Sequence, residues 1–392
     1  MEELVGQRSP APLPRPSFWE GRRVLLTGHT GFKGSWLAVW LSKLGAEVHG
    51  LSLEPDTTPN LWHDLNLPSS LLLRGQKLLT HHIGDLRNPD VAAAAVNAIQ
   101  PQVVLHLAAQ SLVRRSYADP LGTWSTNVLG TLHLLEAMRG LEQPCAAVMI
   151  TTDKVYRNHD CQHSFREDDP LGGHDPYSSS KAAAELAIAS WRSSFCGAAA
   201  HQTPWLALAS VRAGNVIGGG DWSTDRLVPD LIRSLHGNEP LQLRSPESTR
   251  PWQHVLEPAC AYLVLAEQLY QNHDPKTPEH NPFATAFNIG PSQDSNRSVG
   301  ELLAIAYHYW PKTSPAITMA KAPNLVCDRG AELHEAKLLN LCTDLADQRL
   351  GWQPRWNFET SIAKTIDWYS GQLLNGETAL NLCEQQIAAY NA

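Results

Sequence analysis

The sequence has no CxxC pair, no apolar run long enough to span a bilayer, and no surplus of positive charge. Each absence removes a class of function. Without paired cysteines, zinc ribbons and dithiol redox motifs lack their ligands, and an odd count of seven suits free thiols in a reducing cytoplasm. Without about 20 consecutive apolar residues there is no membrane-spanning helix. A formal net charge of -8 leaves no basic face for nucleic acid. Two or three local cations still suffice for a nucleotide diphosphate. The 17 histidines are scattered, and the adjacent His81-His82 pair lacks ligand spacing, so it reads as a solvated turn and no metal is expected.

What is present suits an ordinary soluble globular protein: 43% of residues are hydrophobic and 18% charged, over 392 residues. That length holds one large α/β domain or two moderate ones. Residues 1–20 are rich in Pro and Arg, lack a signal-peptide core, and read as a disordered leader. From Arg22 onward, strand-like runs (Val24-Leu25-Leu26, Glu47 to Leu53, Val103 to Leu107, Ala147 to Thr152, Leu206 to Val211) alternate with helical patterns such as Leu37, Trp40, Leu41 and Leu44 or Asp90 to Gln100. The alternation predicts a Rossmann-type, doubly wound parallel sheet over 21–213. After Gly214 the pattern fades. Residues 214–254 and 291–370 read as a smaller substrate-binding domain, 255–290 as a return to the main sheet, and 371–392 as a C-terminal tail.

Thr27-Gly28-His29-Thr30-Gly31-Phe32-Lys33-Gly34 joins the first strand to the first helix. Glycines there permit a tight turn and close approach of a pyrophosphate, which the N–H groups of the helix start then hold. The GxxGxxG spacing differs from the GxGxxG of simple dehydrogenases, and the bland alternative is an ordinary βα loop. About twenty residues on, where an acidic residue usually binds the adenosine ribose, stands Ser52, with Glu54 just beyond. No arginine follows to favour a 2′-phosphate, so NAD is expected over NADP. Asp85, in Gly84-Asp85-Leu86, is either an acceptor for the adenine amine or a turn residue.

Tyr177-Ser178-Ser179-Ser180-Lys181 follows Asp175-Pro176, a cap and first-turn pair, so Tyr177 and Lys181 share one helix face. A nearby ammonium is expected to lower the phenol pKa, making Tyr177 a base for a hydroxyl proton while hydride leaves the same carbon. Lys181 is also expected to hydrogen-bond a nicotinamide ribose. Thr151-Thr152-Asp153-Lys154 ends a core strand, where ligands lie in open parallel sheets. Thr152 suits a sugar hydroxyl, and Asp153 with Lys154 places an acid beside a base, as water elimination requires. A solvated turn with an ion pair is the plainer alternative.

These segments resemble the extended short-chain dehydrogenase/reductase family. Further matches are His106-Leu107-Ala108-Ala109, Asn127-Val128-Leu129-Gly130-Thr131 and Arg212-Ala213-Gly214-Asn215-Val216, so the resemblance runs from Arg22 to Asn357. It implies cofactor contacts from Gly28, Thr30, Gly31, Phe32, Lys33, Gly34, Asp85, Leu86, Leu107, Ala108, Ala109, Gln110, Thr126, Tyr177 and Lys181. Around the nucleotide diphosphate it implies Asn215, Arg226, Arg250 and Arg244, with guanidinium forks suited to phosphate oxygens. Trp222 and Trp252 are candidates to flank the site. Within the family, Thr-Asp-Lys, Gly218-Gly219-Gly220-Asp221-Trp222 and Arg250-Pro251-Trp252-Gln253-His254-Val255 are similar to the branch acting on CDP-glucose; its dTDP-glucose and GDP-mannose counterparts carry Glu at the place of Lys154.

The implied reaction is a 4,6-dehydration. Tyr177, assisted by Lys181 and Thr152, takes the C4 hydroxyl proton; Lys154 takes the C5 proton as Asp153 protonates the departing C6 hydroxyl. Lys154 must then be neutral. The resemblance further implies a homodimer, or a tetramer, through a four-helix bundle formed by the stretch after Asn127 and the helix beginning at Tyr177. The competing readings are a 4-epimerase, a dehydratase for another nucleotide sugar, or a dinucleotide-binding protein without catalysis. An epimerase has no need of Asp153 and Lys154, and a binding protein has no need of Thr152, Tyr177 and Lys181.

Overall fold

A computed structural model of the chain describes residues 11–67, 79–159, 163–237, 241–243, 246–311 and 338–392, with the short pairs 72–73, 76–77 and 326–327. Seven strands form the central sheet: β1 (Arg23–Thr27), β2 (Glu47–Ser52), β3 (Leu79–Ile83), β4 (Val103–His106), β5 (Cys145–Ile150), β6 (Leu206–Arg212) and β7 (Ala286–Asn288). Their order is β7-β6-β5-β4-β1-β2-β3, and every pairing is parallel. This is a Rossmann-type α/β sheet. Strand order reverses between β1 and β4, which opens a crevice at the strand C-termini.

Both faces of the sheet are covered, which is why its central strands read as continuous apolar runs: every residue of β4, β5 and β6 is buried. Alternation still sorts the side chains. Val24 and Leu26 enter one core, and Leu25 between them enters the other. The first core is closed by α1 (Phe32–Lys43), with Trp36 and Trp40 fully buried. The second is closed by α2 (Pro89–Ile99) and α3 (Gly130–Met138). Helix α4 (Pro176–Phe195) lies on that second side and carries Ile188 into it. On the first side α5 (Leu256–Gln271) is buried over nearly its whole length. Helices α6 (Phe358–Asn375) and α7 (Ala379–Asn391) pack outside it.

Three expectations are corrected. Residues 16–20 are not leader: Pro16–Trp19 is a helical turn with Trp19 fully buried. Arg15 Nε meets Glu267 Oε2 at 2.7 Å, and the Trp19 indole donates to Glu267 Oε1 at 2.8 Å. Residues 371–392 are no loose tail, because α7 seats Tyr390 against Trp40 and Trp356, with its hydroxyl donating to buried Glu257 at 2.7 Å. The His81-His82 pair sits within edge strand β3 rather than in a turn, and His81 Nδ1 lies 2.6 Å from His29 Nε2. Among the described residues no cluster of His, Cys, Asp and Glu could hold a metal.

Candidate functional site

A cleft of about 1180 Å³ opens along the carboxyl ends of the strands. All the candidate residues named from the sequence line it except two: Lys181, buried behind it, and Arg244, which lies outside the described residues.

At one end of the cleft lies the β1–α1 turn. Gly28 has φ +73°, and a Cβ there would stand 2.7 Å from the Ala108 amide nitrogen. A Cβ on Gly34 would stand 2.1 Å from the Gly28 carbonyl. The turn is therefore available only to glycine at these two places. Gly31 is the N-cap of α1 and offers no side chain to the helix start, so the positive end of the helix faces the cleft rather than a capping oxygen. Thr30 closes the far side through Ser52 Oγ at 2.7 Å and the Leu53 carbonyl at 2.8 Å. Asp85 lines the cleft but is held by Arg87, with contacts of 2.6 and 2.8 Å. These features fit a dinucleotide with its pyrophosphate at the turn.

The far wall is built by α4. Asp175 caps it, accepting from the Ser178 amide at 2.9 Å, which stabilises the helix start by about 1 kcal/mol. Asn127 ties this helix to the end of β4. Its side chain accepts from the Gln110 amide at 2.8 Å, donates to the Gln110 carbonyl at 3.0 Å, and donates to Ser180 Oγ at 2.9 Å. Tyr177 is thereby held in the cleft wall. Burial pushes its phenol up to about 12, working against the Thr152 hydroxyl and the Arg226 guanidinium, which favour the phenolate. The expected help from Lys181 is not what the structure contains. The Lys181 Nζ donates to the Ile150 carbonyl at 2.9 Å, and burial brings the ammonium down to about 8.

Thr152, Asp153 and Lys154 follow β5. Asp153 is fully buried; its Oδ1 accepts from Thr152 Oγ1 at 3.0 Å and its Oδ2 from Asn215 Nδ2 at 2.7 Å. Burial raises its pKa over the opposing pull of Lys154, Thr152, Arg250 and Lys33. A carboxyl whose protonated form is favoured in this way is suited to act as an acid. Asn215, expected at phosphate or ribose, spends its amide on Asp153, and its φ of +52° sets that aim. Arg226 reaches Asp221 Oδ2 and Ser111 Oγ at 3.1 Å each, and Arg250 lines the same wall. Trp222 and Trp252 are both mostly buried at the cleft's edge, where they act chiefly as core.

Some functional groups escaped the sequence reading. Lys33 was assigned to the turn through its backbone, yet its buried ammonium, brought down to about 8 chiefly by burial, shares the cleft with Asp153, Asp221 and Arg226. Asp221, read within the Gly218–Trp222 run without a role, and Ser111, which had no motif, orient Arg226.

Comparison with known proteins agrees with this geometry. A family model described as GDP-mannose 4,6 dehydratase matches residues 25–365. A CDP-glucose 4,6-dehydratase of Salmonella typhimurium is 40% identical, over 95% of this chain and 97% of its own length. A dTDP-glucose 4,6-dehydratase of Xanthomonas campestris is 26% identical, over 88% of this chain and 92% of its own. The structure of a dTDP-glucose 4,6-dehydratase from Bacillus anthracis in complex with NAD superposes with a TM-score of 0.67 at 20% identity, covering 89% of this chain and 97% of that one.

Proposed function

Since the chain belongs to the GDP-mannose 4,6-dehydratase family, we propose that it is an NAD-dependent nucleotide-sugar 4,6-dehydratase that converts CDP-glucose to CDP-4-keto-6-deoxyglucose. One observation carries the reaction: a buried, hydrogen-bonded acid at Asp153 shares a cleft with Lys154 and with Tyr177. A 4-epimerase needs only the tyrosine. The choice of CDP rests on 40% identity to the CDP-glucose relative against 26% to the dTDP-glucose one.

The chemistry that bound NAD supplies is to accept hydride from C4 and return it to C6. Tyr177 takes the C4 hydroxyl proton, with Thr152 hydrogen-bonding the same oxygen and Lys181 holding the ribose. The ketone so formed acidifies C5. Lys154 takes the C5 proton, and Asp153 delivers its proton to the departing C6 hydroxyl, so that one water leaves. As C6 is reduced, Lys154 returns a proton to C5, and the proton taken up by Tyr177 resupplies Asp153 through solvent. Arg226 and Arg250 hold the diphosphate.

The test is turnover of the purified protein on CDP-glucose, dTDP-glucose and GDP-mannose, with and without added NAD, followed by product mass. Loss of 18 mass units, about one water, from CDP-glucose alone supports the proposal. The same loss from another sugar nucleotide moves the substrate, and epimerisation without water loss overturns the dehydration. Lys154→Ala is expected to lower water loss by about 10²-fold or more and to slow entry of solvent deuterium at C5. Full turnover in that variant removes Lys154 from the reaction.

We also propose that the protein is a homodimer, with a tetramer as the larger alternative, acting in the cytoplasm. The stretch 120–129 and α4 lie side by side and expose Leu121 (83%), Leu186 (61%), Leu129 (48%) and Trp124 (41%). A second copy of this face covers them as a four-helix bundle. Among the described residues no helix is long and apolar enough to cross a membrane, so a lipid does not take that place through a spanning helix. Leu186→Glu is expected to halve the sedimentation mass; an unchanged mass places the interface elsewhere.

A further inference from the structure

Behind the cleft lies a buried polar cluster that none of the proposed steps uses. Glu185 sits one helical turn beyond Lys181 on α4, and its side chain is almost fully enclosed, as is that of Arg212 on β6. Glu185 Oε2 accepts from Arg212 Nη2 at 2.9 Å and from Ser210 Oγ at 2.9 Å. Its other oxygen, Oε1, accepts from Thr151 Oγ1 at 2.6 Å. Arg212 in turn donates through Nη1 to the Tyr156 hydroxyl and to the Glu167 carbonyl, each at 2.8 Å, and Tyr156 donates to Asn288 Oδ1 at 2.6 Å. One carboxylate thus joins the helix that bears Tyr177 and Lys181, the end of β5 that leads into Thr152 and Asp153, and the end of β6 that leads into Asn215.

We propose that Glu185 is a positioning residue for the reaction: paired with Arg212, it holds the Thr151–Thr152 strand end against α4, one turn from Lys181 at the Ile150 carbonyl. The proposal rests on Tyr177 and Lys181 being the working pair. A carboxylate this deep is tolerated because a guanidinium and two hydroxyls meet it; a role in stability alone is served as well by apolar packing of the same volume. Its ionised state follows from the same contacts: burial alone raises the carboxyl, but Arg212, Thr151 and Ser210 outweigh it and hold it below its ordinary value.

The charges facing Lys181 make the prediction specific. Burial lowers its ammonium, and Glu185 is the group that opposes this. From the other elements, His106 on β4 has its own pKa brought down to about 3 by burial and faces Lys181 as a neutral ring, while Lys33 on α1 is a like charge. Arg212 and Arg192 face Glu185 rather than Lys181. Removing the carboxylate therefore strips away the opposing negative charge, and Lys181 loses its proton at lower pH. A group whose folded pKa is about 8 loses its charged form as pH rises through that value, so the limb that moves is the alkaline one.

Glu185→Gln removes the charge: its amide oxygen still accepts from Ser210 and Arg212, and its NH2 meets Thr151 by donating to the hydroxyl that previously donated to it. Its kcat profile is expected to lose activity on the alkaline side about one pH unit earlier than wild type, and NAD affinity, read by protein fluorescence, is expected to fall over the same pH range. A kcat lowered equally at all pH values, with NAD binding unshifted, overturns the proposal and leaves a structural role. Thr151→Val, which leaves the ion pair whole, covers the case in which Glu185→Gln fails to fold. It is expected to lower kcat roughly tenfold by misplacing the strand end, with KM and NAD affinity unchanged; wild-type kcat in that variant overturns the clamp. Failure of the underlying reading is distinct: it is retained turnover in Tyr177→Phe, whatever Glu185 does.

Discussion

Tyr177→Phe is expected to abolish nearly all turnover, with a loss of about 10²–10⁴-fold in kcat, while NAD binding and thermal stability stay near wild type. The substitution deletes one oxygen from a side chain that is 7% exposed and packed into the cleft wall, so the ring continues to fill its place. What is lost is the phenol hydroxyl beside Thr152, the group proposed to take the C4 hydroxyl proton. The pH dependence carries a second expectation. With the phenol pushed up to about 12 by burial, the free protein holds a neutral tyrosine throughout the neutral range. The Arg226 guanidinium and the Thr152 hydroxyl already pull the other way. Activity near neutrality then requires that the occupied cleft favour the phenolate further, and a stopped-flow proton-release measurement on adding CDP-glucose to the NAD-loaded protein checks this. Proton release that Tyr177→Phe leaves intact assigns the base to another residue.

The Asp153 carboxyl and the Tyr177 phenol are pushed in the same direction by one cause, and the proposed reaction gives them opposite tasks. Burial raises the Asp153 pKa, which favours the protonated form that the proposed reaction needs for delivery of a proton to the leaving hydroxyl. The same burial makes Tyr177 a reluctant base and thereby ties proton removal to the presence of substrate. Lys181, which the sequence places one turn from Tyr177, donates to the Ile150 carbonyl, and the proposed ribose contact draws on its remaining donors.

How much of this was legible depended on whether the signal was local. The central strands announced themselves because both their faces are covered, leaving no polar alternation to confuse the reading. The Gly28 turn was readable because its backbone admits no other residue, and Tyr177 and Lys181 because a helix spaces them. Edge strand β3 was harder. Only Leu79 of its five residues is buried, so His81 and His82 looked like a turn. The pairing of Glu185 with Arg212 was missed for a different reason. Arg212 opened a family-like segment but nothing marked Glu185, and the two, 27 residues apart, meet only once β6 has been laid beside β5. Asn215 was found but its partner was not, since its amide turns to Asp153 only through a left-handed backbone. The leader and the tail were misjudged because their anchors lie far off in sequence: Trp19 bonds to Glu267 and Tyr390 to Glu257.

That last point has a measurable consequence, because a segment that composition marks as dispensable here completes the core. Trp19 is fully buried, packs edge-to-face on Phe18 at 5.0 Å, and gives its indole proton to Glu267. Glu267 is itself buried and depends on Arg15 for its remaining partner, through the Nε contact and the Arg15 backbone amide at 2.7 Å. Trp19→Ala removes a large side chain from a site that α5 and the strand start at Arg23 cannot close, and it leaves one carboxylate oxygen short of a donor. The expected cost is about 3–5 kcal/mol, seen as a lower thermal midpoint at matched scan rate and protein concentration. Glu267→Gln should cost less, because an amide oxygen still accepts from the indole while only the ion pair with a half-exposed arginine is lost. Chains beginning at residue 21 are expected to behave like Trp19→Ala or worse. A thermal midpoint unchanged in both the point variant and the truncation would return residues 11–20 to the status of a leader.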